Sequence, residues 1–74
     1  MRTYRFHSLT DAGAQHLADA LNEDGMVAIV IRPEVHKLPG WGVQADGEGR
    51  SETLLEMLAQ FYGGAYEGED LAGA

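Results

Sequence analysis

The sequence predicts an α+β fold in which two helices cover one face of a single small β-sheet. Alternating apolar and polar residues at Thr3–His7 are typical of a half-buried strand. An i, i+3, i+4, i+7 apolar pattern at Ala14–Leu21 indicates an amphipathic helix, and the Val- and Ile-rich run Met26–Ile31 indicates a buried strand. With 74 residues, the chain is long enough for one domain with a modest core.

The first helix has identifiable start and stop signals. Ser8 and Thr10 are both candidate N-caps, and Ser8 opens a Ser-x-x-Asp sequence that resembles a capping box. Gly25 follows the last apolar residue of the pattern and is expected to end the helix. These signals place one helix between the first two strands.

The second half of the chain predicts a loop, a third strand and a second helix. Pro33–Gly40 contains two prolines and is expected to be a loop, and the alternation in Trp41–Gly47 predicts a strand. Ser51 is positioned to cap the second helix, and Gly63 and Gly64 are positioned to end it. The expected apolar face of this helix consists of Leu54, Leu55, Leu58, Phe61 and Tyr62.

The resulting order, β-α-β-β-α, predicts a three-stranded sheet with spatial order 1-3-2, because a right-handed crossover leaves room for strand three. Such a sandwich is ferredoxin-like but lacks a fourth strand, so Thr3–His7 would form an open edge. The segment Tyr66–Leu71, a second copy or a partner could cover that edge. We expect one compact domain at residues 1–68 and an acidic, flexible tail at residues 69–74.

The sheet face that the helices leave uncovered is a second candidate for self-association. Arg5, Ala28, Val30, Arg32 and Gln44 are expected to occupy this outer face. Because the set is mildly apolar, it could support a homodimer, as could the open strand edge.

Net charge is the strongest compositional signal. Twelve acidic residues against five basic ones give a formal charge of −7 at pH 7. This excess of carboxylates disfavours direct binding to nucleic acid or to an anionic membrane, and it would attract a basic protein. The alternative is that acidity serves solubility alone. No apolar run is long enough for a membrane span, and the absence of cysteine fits a reducing cytoplasm.

The acidic residues fall into groups along the chain. Glu52 and Glu56 form an i, i+4 pair of like charge, as do Asp19 and Glu23, and each pair costs its helix about 0.2–0.5 kcal/mol. Carboxylates kept at such a spacing can imitate a phosphate backbone. Tyr66 lies beside acids and is a candidate interface anchor. The predicted partner-binding set is Asp46, Glu48, Glu52, Glu56, Tyr66, Glu67, Glu69 and Asp70, with a secondary acidic patch of Asp19, Glu23 and Asp24.

The sequence lacks recognisable catalytic and metal-binding patterns. His7, His16 and His36 do not have the spacing of a zinc site, and we expect neither a metal nor a cofactor. Ser8 and Ser51 occur where helix caps are needed, and neither lies in a nucleophile-elbow sequence. The sequence therefore predicts a binding protein and not an enzyme.

Three segments together resemble the RraB family, the protein regulators of ribonuclease E. They are Leu21–Gly25 at the end of the first helix, Trp41–Val43 in the third strand, and Ala59–Gly68, where Tyr-Gly-Gly-x-Tyr-acid-Gly closes the second helix. Glu67 replaces the aspartate of the family pattern, and the tryptophan that follows its final glycine is absent here. The resemblance implies a ferredoxin-like, non-enzymatic regulator that binds a nucleic-acid-processing protein.

In size and acidity the chain is also similar to small phage anti-CRISPR proteins, several of which imitate nucleic acid. The first functional hypothesis is therefore an inhibitor whose acidic surface docks on a bacterial ribonuclease or a CRISPR effector in the cytoplasm. The second is a homo-oligomeric interaction module that uses its open sheet edge, with acidity serving only solubility. A fall in partner affinity with added salt would favour the first hypothesis, because salt screens exposed charges.

Overall fold

A computed structural model describes residues 2–70 of the chain as one sheet with three helices. Every strand and helix expected from the sequence is present, and the structure adds a short second helix and a fourth strand. In chain order the elements are β1 (Arg2–Leu9), α1 (Asp11–Glu23), β2 (Val27–Ile31), α2 (Pro33–His36), β3 (Trp41–Gly47), α3 (Glu52–Phe61) and β4 (Ala65–Asp70).

The sheet has four strands in the order β2-β3-β1-β4, and all neighbours are antiparallel. The prediction of three strands was wrong because β4 folds back along β1, with Thr3 opposite Asp70 and His7 opposite Ala65. The sequence left three candidates to cover the β1 edge: a later segment of the chain, a second copy or a partner. In the structure the later segment, β4, pairs with β1. In this structure β3 and β4 lie on the two sides of β1, so Thr3–His7 offers no open edge for a dimer.

The end of β4 differs from the domain boundary expected at residue 68. Glu69 and Asp70, assigned to a flexible tail from sequence, belong to β4 and pair with β1. Their low intrinsic strand propensity is overridden by pairing with a preformed neighbour. Residues 71–74, which complete the expected tail, lie outside the described part of the chain.

A single core lies between the sheet and helices α1 and α3. Its largest fully buried side chains are Tyr4, Phe6, Leu17, Val43 and Leu55. The apolar stripe predicted for α1 is confirmed, because all four of its members are buried. Thr10 is the N-cap of α1, since its side chain accepts a hydrogen bond from the Gly13 amide at 3.0 Å.

Strand β2 packs on the core with the face that was expected to be exposed. Ala28 and Val30 pack against the core, opposite Ala45 and Val43 of β3. The outer face instead carries Val27 and Ile29, which are 65% and 54% exposed. The sequence VAIVI is apolar throughout and gives no alternation. The sequence therefore could not show which face of the strand is buried. Arg5 and Gln44 do share the outer face with Ile29 by register, whereas Arg32 lies beyond the strand, at the N-cap of α2.

Two helix starts also differ from expectation. Ser8 does not cap α1: it lies in β1 with a φ of 61°, and its amide donates to the Pro39 carbonyl at 2.7 Å. Ser51 is the N-cap residue of α3, but its side chain makes no capping hydrogen bond. The segment Pro33–Gly40 contains helix α2 where the sequence predicted only a loop, because Pro33 at the first turn fits a helix start.

Glycines at the end of α3 have two separate roles. The φ of 84° at Gly63 lies in the left-handed region that favours glycine. A Cβ on Gly64 would meet Leu9 Cδ2 at 2.5 Å and the His7 carbonyl oxygen at 2.7 Å. Gly63 therefore allows the chain to turn, and Gly64 allows it to enter β4 in close contact with β1.

Candidate acidic interaction surface

Three of the predicted site carboxylates act electrostatically on one tyrosine, Tyr66, in the region where α3 contacts the edge strand β4. The pKa of Tyr66 is raised first by burial, then by Glu52 and Glu69, with smaller contributions from Tyr4 and Glu56. Glu52 and Glu56 come from α3 and Glu69 from β4, so two consecutive elements bring these charges near the same tyrosine. We call Glu52, Glu56 and Glu69 the α3–β4 acidic group.

Tyr66 itself belongs more to the core than to the surface. Its ring packs against Phe6 with a centroid distance of 5.3 Å and an interplanar angle of 49°. Its hydroxyl oxygen is buried and finds no hydrogen-bond partner in the described structure. An interface anchor normally presents its polar end to the partner. Burial of this hydroxyl argues against the anchor role expected from the sequence.

A second acidic group forms around the turn between β3 and α3. Asp46 and Glu48 line a depression of about 530 Å³ together with Asp24, which the sequence assigned to the secondary patch. The hydroxyl of Thr3 donates a hydrogen bond to the Asp46 carboxylate. The predicted partner-binding set is therefore divided: Asp46 and Glu48 join Asp24, away from the acids around Tyr66.

Two arginines partly neutralise these acidic groups. Arg50 lines the same depression and contacts Asp24 twice, through Nε to the carboxylate at 3.0 Å and through Nη2 to the carbonyl oxygen at 3.0 Å. Arg2 pairs with Glu69 at 3.3 Å. The sequence analysis missed both arginines, since neither stands near its partner along the chain. Among the described side chains, Glu52 and Glu56 form no ion pair, so they are less compensated than Glu69.

The remaining predicted site residues lie apart from the α3–β4 acidic group. Glu67 and Arg5 line a depression that also includes Ile31 and Leu38. Asp70 ends β4 opposite Thr3. Asp19 and Glu23 are exposed on α1. The structure thus distributes the eight primary residues over several surfaces instead of one.

Among the described residues, one histidine and one serine lie within hydrogen-bond distance of each other. His7 Nδ1 lies 2.8 Å from Ser8 Oγ, a pair of sequence neighbours. Nucleophilic catalysis also needs a third group that orients the imidazole, and no described residue makes that contact. In the described part of the chain, no three His, Asp or Glu side chains are grouped to hold a metal ion. None of the helices within residues 2–70 has the length and apolar character needed to cross a bilayer.

Comparison with known proteins adds no assignment, since no family model, no curated protein and no solved structure matches this chain.

Proposed function

We propose that the protein is a non-enzymatic acidic binder that occupies a basic, nucleic-acid-binding surface of a partner protein in a bacterial cytoplasm. The observation that carries this proposal is the uncompensated Glu52–Glu56 pair on α3, next to Glu69. Two like charges one helical turn apart are unfavourable for the helix itself. A basic partner would offset that cost and would also be steered to the site by the net charge of −7.

Two classes of target fit the proposal. The segments that resemble RraB proteins point to a bacterial ribonuclease, and the resemblance to phage inhibitors in size and acidity points to a CRISPR effector. The strand order β2-β3-β1-β4 supports a ferredoxin-like sandwich whose fourth strand is supplied by Ala65–Asp70. In either case the protein would act by exclusion of RNA or DNA and not by chemistry.

Charge reversal on α3 tests the acidic site. The variant E52K/E56K is expected to lose partner affinity by about tenfold or more, since charged pairs at interfaces contribute on the order of 1.5 kcal/mol or more. The matched control is D19K/E23K, an i, i+4 pair on α1 whose reversal changes the net charge equally. Equal loss in both variants would mean that overall charge, and not this site, governs binding.

The partner can be obtained by capture from bacterial lysate at low and high salt, with the captured proteins identified by mass. Competition then tests the mechanism: added RNA or DNA should release the partner from the immobilised protein, as should high salt. A captured partner that nucleic acid fails to release would contradict the proposal, because both ligands would then bind at once.

A second function, a homo-oligomeric module, is favoured by one observation. The outer sheet face exposes Val27 and Ile29 side by side with Ile31 on the edge strand β2. Self-association through this face would bury them. Sedimentation velocity over a range of concentrations should then show a dimer that V27T/I29T abolishes, whereas a monomer at all concentrations would exclude this alternative.

A further inference from the structure

The contacts of the two longer helices divide the molecule into two parts, each continuous along the chain. Helix α1 packs on β1, β2 and β3, whereas α3 makes its most extensive strand contacts with β4. The first part therefore runs from β1 to β3. The second part consists of α3 and β4, residues 52–70, and we call it the α3–β4 unit. Parts of a protein that open separately from the rest are contiguous cooperative units of this kind.

Helix α3 is held in place less firmly than α1. Leu55 and Ala59 are its buried residues, whereas α1 buries four apolar side chains. The N-cap residue of α3 makes no side-chain hydrogen bond, whereas that of α1 does. A depression of about 270 Å³ lies between the two helices and interrupts their packing. Low burial and a weak cap mark the helix that should open first.

The attachment of β4 to β1 is also weakened in several places. The pairing of the two strands shifts register between Arg5 and Phe6. The ring of Tyr66 packs on Phe6, but its hydroxyl is buried with no hydrogen-bond partner in the described part of the chain, which opposes the closed form. Arg2 and Glu69 form an ion pair across the two strands, and exposed pairs of this kind contribute little.

The distribution of charge within the α3–β4 unit favours its opening. Residues 52–70 contain five of the twelve acidic residues and none of the five basic ones. Glu52 and Glu56 repel each other one helical turn apart, and Glu69 adds a third carboxylate near Tyr66. Local unfolding separates these like charges and therefore relieves their repulsion.

Arg50 marks the boundary of the unit. Its backbone amide donates to the Tyr4 hydroxyl at 2.9 Å, and its side chain pairs with Asp24 at 3.0 Å. Both partners belong to the first part of the molecule, in β1 and at the end of α1. The turn before α3 can therefore stay attached when α3 leaves.

We infer that α3 and β4 open together by local unfolding while α1 and the strands β1 to β3 remain folded. A three-stranded sheet packed on a helix can be stable by itself, so the first part can persist. The open form loses the α3–β4 acidic group, because Glu69 no longer lies near α3. It also uncovers the edge of β1 that pairs with β4. The unit is thus a conformational device that removes an acidic surface and creates an open strand edge.

Two neighbouring residues of β1 provide an internal control for this opening. The backbone of Ala28 bonds to the Asn22 side chain, so it faces away from β3, and its opposite residue Ala45 faces β1. Ala45 lies opposite Tyr4, so the Tyr4 backbone bonds to β3 and that of Arg5 faces β4. Opening of the α3–β4 unit should therefore expose the amide of Arg5 and leave that of Tyr4 protected.

Amide hydrogen exchange followed by NMR, at urea concentrations below the unfolding transition, measures the opening. We expect the amides of α3, β4 and Arg5 to share one opening reaction, with protection at least about tenfold lower than that of α1, β3 and Tyr4. This reaction should depend less on urea than global unfolding, because it exposes less surface. The experiment uses the isolated protein, so its outcome does not depend on whether the proposed partner binds.

Three results would overturn the inference. The first is a single opening reaction for all amides, which would make the protein one cooperative unit. The second is equal protection of the Tyr4 and Arg5 amides. The third is exchange of β4 alone while α3 keeps the protection of α1, because that pattern is the fraying of an edge strand.

Three variants test the forces that open the unit. Y66F removes the unpaired hydroxyl and should raise the protection of the α3 and β4 amides by up to about fivefold. E56Q removes one carboxylate of an i, i+4 pair and should raise it by about twofold. E23Q is the matched control, since Glu23 and Asp19 form the same kind of pair on α1, which stays folded in the open form. Equal gains at α3 and β4 in E23Q and E56Q would mean that α1 opens as well, contrary to the inference.

Discussion

Tyr66 combines an unpaired hydroxyl, an aromatic contact and nearby carboxylates in one residue. Its hydroxyl is buried without a hydrogen-bond partner among residues 2–70, its ring packs on Phe6, and carboxylates from α3 and β4 lie nearby. A buried hydroxyl without a partner loses its hydration and gains nothing in return. The fold uses the aromatic ring at this position and makes no use of the hydroxyl group.

Replacement of Tyr66 by phenylalanine should show that the hydroxyl group does not stabilise the fold. At pH 7 we expect Y66F to be as stable as the parent or more stable by up to about 1 kcal/mol, since the ring remains and an unpaired group is removed. The pKa of Tyr66 is raised in the folded state, by burial first and then by Glu52 and Glu69. The folded state therefore favours the neutral phenol. The stability that Tyr66 contributes in this way is fully present below the ordinary pKa of about 10. It is lost as pH rises through the higher pKa of the folded state.

Urea denaturation between pH 8 and pH 11 is the measurement. The parent should lose more stability than Y66F over this interval, because only the parent must ionise a phenol near carboxylates. Parallel stability curves for the two proteins would show that Tyr66 ionises equally easily in the folded and unfolded states, contrary to the expectation.

Arg50 illustrates a residue whose role no sequence pattern could reveal. Its backbone amide donates to the Tyr4 hydroxyl at 2.9 Å, and its side chain contacts Asp24 at the end of α1. These contacts join β1, α1 and the turn before α3. A lone arginine after a glycine-rich turn carries no signal of such partners, since both are set by the tertiary fold.

At the scale of elements, the sequence predicted those whose apolar period is unambiguous. The alternation of Tyr4 and Phe6 in β1 and the stripe of α1 are confirmed. The face of β2 was assigned wrongly because both of its faces are apolar. Strand β4 was left as one of three possibilities because AYEGED contains two glutamates, an aspartate and a glycine, all of them poor strand formers.

Helix α3 shows a related limit of periodicity. Leu54 and Phe61 were expected on its buried face, but they are exposed, whereas Leu55 and Ala59 are buried. When apolar residues cover most of a helix, the pattern identifies the helix but not its orientation. The candidate site shows the same limit. The i, i+4 spacing identified Glu52 and Glu56 as neighbours, whereas only the fold shows which other members of the predicted set, such as Glu69, lie near them.

The open edge of β2 is protected by one side chain. The Asn22 amide oxygen accepts from the Ala28 backbone amide at 2.9 Å, and its Nδ2 donates to the Ala28 carbonyl at 3.3 Å. Both bonds resemble those that a neighbouring strand would make. Asn22 therefore occupies the position of a fifth strand at the centre of an apolar edge, where unpaired backbone groups invite association.

Removal of this side chain should affect both stability and association. We expect N22A to lose about 1–2 kcal/mol, from two hydrogen bonds worth about 0.5–1.5 kcal/mol each. It should also form dimers or larger species at concentrations where the parent is monomeric. Urea denaturation and light scattering measure the two effects. Q15A is the control. The exposed side chain of Gln15 donates one hydrogen bond, to Asp11 on the same helix, and its loss should cost less than about 0.5 kcal/mol.

At the scale of the whole molecule, charge repulsion acts across the entire protein. The molecule measures 26 × 24 × 19 Å and carries a formal charge of −7. At 10 mM salt the Debye length is about 30 Å, so every charge interacts with every other. At 0.1 M it is about 10 Å, and only near neighbours still interact. The exposed ion pairs Arg2–Glu69 and Arg50–Asp24 oppose this repulsion only weakly.

Added salt should therefore stabilise the folded protein. We expect the free energy of unfolding to rise between about 10 mM and 300 mM sodium chloride, because screening relieves the net repulsion more than it weakens exposed ion pairs such as these. Thermal denaturation followed by circular dichroism measures the change, and E52K/E56K should respond less, since its net charge is smaller. A fall in stability over this range would mean that specific ion pairs outweigh the net repulsion.

The position of β1 in the middle of the sheet has a consequence for synthesis. Its two neighbours, β3 and β4, both come later in the chain, and Thr3 pairs with Asp70. At translation rates of about 5–20 residues per second, about 3–13 s separate the synthesis of these two residues. During that interval Tyr4 and Phe6 have no completed core to enter. The nascent chain therefore keeps these two aromatic side chains without their strand neighbours until β4 has been made.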